Sequence, residues 1–231
     1  MWLQWPERLC SGIEGSAGHM ITFSGIDCAG KSTQIEKIKK YYEEKGIPCR
    51  VIWSRGGYTS WVEGFKTLIR RDKNFSDEAK EEYRASIKKT GWKNKLYLVA
   101  SIWDMLRFYG IVYRFIEAKG ELIICDRYVW DTCIDFQMRY PKYDFQNWFC
   151  WKLMLKCIKK PTHSFVFTIP AEESMRRSKL KKELRPEPLE RRVVRVEHYM
   201  KEIENKRWMY VVDCMKPLDA VTEEVIEILK R

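Results

Sequence analysis

Short runs of consecutive apolar residues alternate along this chain with longer stretches in which apolar residues recur every three or four positions. The short runs predict buried β-strands at 20–24, 50–53, 121–126, 164–169 and 209–213. The longer stretches predict helices at 31–45, 61–71, 92–118 and 218–230. Continuous apolar strands separated by helices are typical of a parallel sheet that is covered on both faces.

A glycine-rich turn lies between the first strand and the first helix. Residues 25–33 fit the pattern G-x-x-x-x-G-K-[ST], which forms a phosphate-binding loop when it joins a strand to a helix. Loop amides and the helix N-terminus surround phosphate oxygens, while Lys31 reaches the β- and γ-phosphates and Ser32 ligates Mg²⁺. The alternative is a chance glycine turn. The residues expected to bind the nucleotide are Gly25, Ile26, Asp27, Cys28, Ala29, Gly30, Lys31, Ser32 and Thr33.

The order of these elements, together with the loop, predicts the fold class. Right-handed crossovers between parallel strands give an α/β, three-layer P-loop NTPase fold, with a five-stranded parallel sheet covered by helices on both faces. A cation-rich segment at about 171–192, with prolines at 186 and 188, predicts a helical lid that excludes water. An ordinary charged helix pair explains this segment equally well.

Chain length and cysteine usage bear on organisation. At 231 residues the chain suits a single P-loop domain at 20–231. The first nineteen residues contain Gly15-Ser16-Ala17-Gly18-His19 and are expected to be an extension or an expression-tag segment without fixed structure. Eight cysteines without a C-x-x-C pair favour free thiols in a reducing cytoplasm.

The formal net charge of +11 admits several partners. Nucleic acid, an anionic membrane and a polyanionic small substrate such as ATP all attract a basic protein. Acidic residues interrupt the basic segment at 176–195, which favours a lid over a nucleic-acid arm. The apolar run at 148–158 contains Lys152 and Lys156 and is too short to span a membrane. We therefore expect a small-molecule substrate and neither nucleic acid nor membrane as a partner.

Charged residues also follow two of the predicted strands. Asp126 ends the third strand and faces the crevice where ligands of parallel sheets bind, so it can hold Mg²⁺. Arg127 presents a planar fork to a phosphate, and Arg55 follows the second strand beside two glycines. The alternatives are a structural salt bridge at Asp126 and a surface turn at Arg55. Asp27 is expected to face a sugar hydroxyl rather than the phosphates.

These motifs together resemble the thymidylate kinase family. Four features are similar to that family's pattern over 20–231: the phosphate loop with an acidic residue at Asp27, the triplet Asp126-Arg127-Tyr128, the arginine-glycine turn at 55–59, and an arginine-bearing lid before a helix that ends in tyrosine, at 174–199. The resemblance implies phosphoryl transfer from Mg·ATP to a nucleoside monophosphate, with dTMP as the leading acceptor. It also implies a homodimer that packs through long helices, for which 92–118 is a candidate, although a wholly buried core helix explains that run equally well.

The resemblance further implies roles for individual residues. Arg55 and Arg127 would bind the acceptor phosphate, Asp27 the acceptor sugar, and Tyr128 would line the acceptor pocket. Cys28 stands where some members carry a catalytic arginine in the loop, so that work would pass to the lid. The lid candidates are Arg177, Lys181 and Arg185.

Several departures from the family pattern bear on the acceptor. The long helix has Leu98 and Ile102 where the family usually has a phenylalanine that stacks on thymine and an arginine. Trp103, with Tyr97 and Arg107, is a substitute on a rotated helix. Asp131, Thr132 and Asp135 follow the triplet where serine and alanine are common. Two alternatives to a thymidylate kinase therefore stay open: a kinase of the same fold with another small-molecule acceptor, and a non-catalytic nucleotide-binding module.

Overall fold

The computed structural model describes residues 19–53, 91–183 and 186–231. Its sheet has five strands in the order β2-β3-β1-β4-β5, and every pair of neighbours is parallel. The strands are β1 Met20–Gly25, β2 Cys49–Trp53, β3 Leu122–Asp126, β4 His163–Thr168 and β5 Tyr210–Asp213. This sheet confirms the predicted α/β P-loop fold, and each strand lies within two residues of its predicted position.

Helices occupy the segments between the strands. They are α1 Lys31–Glu43, α2 Trp92–Arg107, α3 Tyr113–Glu117, α4 Val129–Arg139, α5 Phe149–Cys157, α6 Ala171–Leu180, α7 Leu189–Glu204 and α8 Leu218–Leu229. One turn of π-helix, Phe108–Val112, joins α2 to α3, so the stretch predicted at 92–118 is helical almost throughout. The helix predicted at 61–71 lies outside the described residues. No helix among the described ranges is long and apolar enough to cross a membrane.

The chain divides into two compact units. Of the described residues, the first unit contains 19–53, 116–131, 160–183 and 186–231, and therefore the whole sheet. The second contains 91–115 and 132–159. The single domain expected for 20–231 stays a prediction, as does the extension at 1–19.

Aromatic and aliphatic side chains fill the core of the first unit. Phe23 stacks on Phe165 at 5.3 Å between ring centroids, and Ile38 from α1 and Val225 from α8 are fully buried in the same cluster. The register pairs Phe23 with Asp126. The end of β3 therefore lies directly beside the end of β1, where the phosphate loop begins.

The second unit has its own apolar interior. Leu98, Ile102 and Met105 from α2 are buried, and so are Trp151 and Met154 from α5, the helix that α2 packs against. Most of the run at 148–158 therefore forms a helix, α5, that packs in the interior of this unit.

A buried histidine predicts how stability depends on pH. His163 is 1% exposed and stacks on Phe165 and Tyr210, and burial, with the neighbouring His19, lowers its pKa from 6.5 to about 4. The unfolded chain therefore binds a proton that the folded chain rejects, and stability present above pH 6.5 should decline as pH falls toward 4. At about 1.4 kcal/mol per pKa unit, the loss should approach roughly 3 kcal/mol.

Urea unfolding at pH 7 and at pH 4.5 measures this loss. The variant His163→Phe keeps an aromatic ring in the stack, and its unfolding free energy should fall less than that of the wild type between the two pH values. An equal fall in both proteins would assign the acid sensitivity to other groups.

Candidate active site

Two glycines shape the phosphate loop between β1 and α1. Gly25 has a φ of 136°, and a Cβ there would collide with the carbonyl oxygen of Phe167 on the neighbouring strand. Gly30 has a φ of 94° and forms the N-cap of α1 without a side-chain cap. Both conformations are ones that glycine adopts without strain. Within the described residues the N-cap provides no side-chain hydrogen bond to the first turn of α1, and N–H groups at such a helix start can bind an anion.

Lys31 lies folded over the loop. Its Nζ donates hydrogen bonds to the carbonyl oxygens of Gly25 at 2.9 Å and Ile26 at 2.8 Å. Burial and then the nearby Arg127 guanidinium lower its pKa to about 8. A phosphate oxygen would strengthen the charged form, because opposite charge favours ionisation. Ser32, in the same first helical turn, is exposed and available to a ligand.

Asp126 ends β3 beside the loop, and one of its oxygens is buried without a partner. Its Oδ1 accepts no hydrogen bond within the described residues, and burial raises the pKa of the carboxyl although Lys31 and Arg127 act in the opposite direction. A buried carboxylate oxygen without a donor is costly. The oxygens of Asp126 and Ser32 suit Mg²⁺, which takes one or two protein oxygens together with substrate phosphates.

Arg127 brings several of the predicted residues together. Its Nη1 donates to the Gly25 carbonyl at 3.0 Å, and its Nη2 pairs with the Asp27 carboxylate. The backbone at Arg127 has a φ of 76°, and its N–H donates to the Phe23 carbonyl. This left-handed turn lets the chain reverse after β3 and directs the guanidinium back to the loop. Tyr128 is buried.

Sequence reasoning missed the carboxylate that holds this cluster. Asp131 is completely buried and accepts hydrogen bonds from Arg127 and from the hydroxyl of Tyr199 on α7. Burial and the adjacent Asp131 raise the pKa of Tyr199 well above its usual value, so its hydroxyl keeps its proton. Two sequence features could have identified it. Asp131 lies four residues after Arg127, and it stands in a stretch where the family commonly has serine and alanine.

The described part of the lid touches the phosphate loop through a second network. Ser174 on α6 donates to the backbone carbonyl of Asp27 at 2.7 Å. Arg192 on α7 is 1% exposed and donates to Ser174 and Ser178. Arg192 was also missed, because a buried arginine in a basic segment resembles its exposed neighbours.

Cys28 in the loop takes part in the same network. Its Sγ donates to Glu183 Oε1 at 3.4 Å. The Glu183 carboxylate also accepts a hydrogen bond from the Ser178 hydroxyl and pairs with Arg192 at 3.5 Å. Burial and the Glu183 carboxylate raise the pKa of the Cys28 thiol, so it stays protonated. The Cys28 thiol therefore joins the phosphate loop to the segment that follows α6.

Comparisons with known proteins agree with this geometry. The model of the family described as "Thymidylate kinase" matches residues 23–225. This protein belongs to the thymidylate kinase family. It is similar to the thymidylate kinase of Mycoplasmopsis pulmonis, with 26% identity over 91% of this chain and 87% of the relative. It is also similar to that of Bacillus pumilus, at 25% over 93% and 96%, and to the probable thymidylate kinase of Pyrococcus abyssi, at 23% over 92% and 96%.

Family membership decides the class of reaction. Thymidylate kinases are nucleoside monophosphate kinases, and membership supports ATP-dependent phosphorylation of dTMP by this chain. The relatives share about a quarter of their residues with it, so individual site residues are judged from the geometry.

The lid cations expected to be catalytic occupy different settings. Arg177 pairs with Glu173 at 2.6 Å and donates to the Cys214 carbonyl at 2.9 Å. It would have to leave both partners to reach a transferred phosphoryl group. Lys181 is exposed at the end of α6, and Arg185 lies outside the described residues. The catalytic role of this group stays a prediction.

The acceptor side of the thymidylate kinase pattern is partly described. Leu98 and Ile102 are buried in the interior of the second unit, at 0% and 1% exposure. Trp103 is half-exposed on α2 and Arg107 pairs with the buried Asp104 at 3.1 Å. The positions that usually meet the acceptor are thus core residues here. Arg55 lies outside the described residues.

Proposed function

We propose that this protein transfers the γ-phosphoryl group of ATP to dTMP, producing ADP and dTDP. One observation carries the proposal: the phosphate loop with Lys31, the unpartnered oxygen of Asp126 and the guanidinium of Arg127 meet at the carboxyl ends of β1 and β3. A protein that merely binds nucleotide has no use for a magnesium carboxylate and an acceptor arginine at one edge of a sheet.

The chain's own groups have distinct tasks in this reaction. The loop amides and Lys31 hold the donor phosphates, and Lys31 neutralises charge that develops as the bond to ADP breaks. Asp126 and Ser32 would hold Mg²⁺, which neutralises phosphate charge when bound. Arg127 orients the acceptor phosphate so that one of its oxygens attacks the γ-phosphorus. Asp27, once released from Arg127, accepts a hydrogen bond from the sugar.

A second acceptor class has its own support. Leu98 and Ile102 are buried core residues. Neither side chain can stack on a thymine ring or form an ion pair with a phosphate. Another small phosphate ester would therefore suit the same transfer site. Trp103, because it is half-exposed, is our candidate for stacking on a base if the acceptor is thymidylate.

An ADP-release assay with Mg·ATP tests the proposal. The panel contains dTMP, the other nucleoside monophosphates, nucleosides and a reaction without acceptor. Fast turnover with dTMP supports the proposed reaction. Turnover with a different acceptor would overturn the substrate assignment, and ATP binding without turnover on any member of the panel would overturn the proposed function.

Replacing Arg127 with alanine should affect the acceptor more than the donor. We expect the KM for dTMP to rise at least 10-fold and kcat to fall, because a charge-assisted contact to the acceptor phosphate is lost. Steady-state kinetics with each substrate varied in turn measures this split. A change confined to ATP affinity would place Arg127 on the donor side.

We also propose a homodimer in the cytoplasm that uses neither nucleic acid nor membrane as a partner. The helical run from α2 to α3 exposes Trp92, Leu96, Ile111 and Phe115, and exposed apolar clusters of this kind favour protein contacts. The cysteines at seven described positions are free thiols, which suits a reducing compartment. Sedimentation equilibrium of the wild type and of Phe115→Glu tests the dimer.

A further inference from the structure

One buried carboxylate gathers donors from three separate segments of the first unit. Asp131 has no exposed side-chain surface. Its donors come from the end of β1, from the turn after β3 and from α7 of the lid. They are Ser24 Oγ at 2.5 Å, Gly25 N at 3.3 Å, Arg127 Nη1 at 3.3 Å, Tyr128 N at 3.1 Å and Tyr199 Oη at 2.5 Å.

The position of Asp131 in its helix holds the carboxylate in place. Asp131 is the third residue of α4 and accepts the N–H of Tyr128, the residue before the helix. An acidic residue at this position closes the reciprocal half of a capping box, and the N-terminal end of the helix favours its negative charge. Its orientation therefore depends on local backbone geometry and needs no bound ligand.

Among the described residues, two carboxylates pair with Arg127, and they differ in exposure. Asp27 is 38% exposed at the side chain and belongs to the loop, whereas Asp131 is 0% exposed and bonded on both oxygens. An arriving phosphate can displace the exposed partner and remain hydrated while it does so. Displacing the buried partner would leave a charge and several donors unpaired. The two guanidinium nitrogens thus have one exchangeable and one fixed carboxylate.

We propose that Asp131 is the positioning residue of Arg127, an inference that rests on the proposed function. When the acceptor phosphate binds, it replaces Asp27 on the outer nitrogen, and Asp131 keeps the inner nitrogen in place. Tyr199 donates to the same Asp131 oxygen, so α7 and the acceptor arginine share one anchor.

The variant Asp131→Asn removes the charge and keeps the shape. We expect the KM for dTMP to rise about 10-fold or more and kcat to fall, with the Kd for ATP within about 3-fold of the wild type. The matched control is Glu202→Gln, which removes a second buried ion pair, that with Arg207, from the same unit. It should lower the melting temperature and leave both KM values unchanged.

Tyr199→Phe separates positioning from stability. It removes the hydroxyl, which donates to Asp131 Oδ1 and accepts from Arg127 Nη1 at 3.4 Å, and it retains the ring beside Trp208. The effects of Tyr199→Phe and Asp131→Asn on the acceptor KM should be less than additive in the double variant, because both act through one oxygen. Additive effects would contradict the shared anchor.

A spectrum of ¹⁵N-labelled arginines tests the inference without turnover. The guanidinium signals of Arg127, assigned by their loss in Arg127→Lys, should be separate in the wild type because rotation about the guanidinium bonds is restricted. They should merge in Asp131→Asn and stay separate in Glu202→Gln. If the wild type phosphorylates no monophosphate, the proposed function fails and this spectrum alone decides the inference. Unchanged Arg127 signals in Asp131→Asn would overturn it.

Discussion

Replacing Lys31 with alanine should lower kcat by about 10³-fold or more while the fold stays intact. The ammonium group donates to the loop carbonyls of Gly25 and Ile26. We expect it to exchange these carbonyls for donor phosphate oxygens when ATP binds. Without it, the developing charge loses a fixed cation in a buried setting where charges interact strongly. The measurement is ADP release with saturating dTMP, together with thermal unfolding followed by circular dichroism.

Lys40→Ala is the matched control for this change. Lys40 lies on the same helix and its side chain is 78% exposed. In the part of the chain that the structure describes, its ammonium group makes a single long surface pair, with Glu44 at 3.8 Å. Both kcat and the melting temperature of this variant should match the wild type, because exposed pairs contribute little. A Lys31→Ala enzyme that turns over at the wild-type rate would show that the phosphate loop is assigned wrongly.

Replacing Asp126 with asparagine should stabilise the protein and inactivate it. Burial raises the pKa of this carboxyl, so the folded chain binds its proton more readily than the unfolded chain does. A group of this kind destabilises the folded state as pH rises through its folded pKa, and the neutral amide avoids that cost. We expect a higher melting temperature without nucleotide and a kcat lower by about 10²-fold or more, because the proposed magnesium ligand is lost.

Two measurements check this opposed result. Thermal unfolding of the nucleotide-free protein gives the stability, and the dependence of turnover on Mg²⁺ concentration should shift to higher concentrations. Glu121→Gln is the control, since Glu121 precedes the same strand at its opposite end and pairs with Arg50. It should change neither quantity appreciably. A less stable Asp126→Asn protein would mean that the carboxylate has a partner that stabilises it.

The five strands and the helices α1, α2 and α8 were predictable because each depends on neighbouring residues, whereas α4, which carries Asp131, was not predicted. The apolar run that begins at 121 became β3 from Leu122, and the one that begins at 164 became β4 from His163. The order of strands was not predictable from the periodicity. The order depends on which strands pair across long separations in sequence, and the side-chain pattern within one strand does not specify its partner strands. Placing β1 between β3 and β4 is a result of packing both faces of the sheet.

The motif residues were predictable for a related reason. A phosphate loop is a local backbone conformation, so Gly25, Gly30 and Lys31 specify it wherever a strand precedes and a helix follows. Asp126 and Arg127 follow from their place at the end of a strand. The long helix carries no comparable signal, since Leu98 and Ile102 are buried apolar residues that do not identify the acceptor.

By itself, the sequence determined the fold class, the nucleotide loop and the family. Only the tertiary structure decided that Asp131 anchors Arg127, that Tyr199 joins them from 68 residues away, and that Arg192 is buried rather than presented to a phosphate. The physical reason is desolvation. A charged side chain is identical in sequence whether it is hydrated or buried, and its role depends on the partners that folding brings to it.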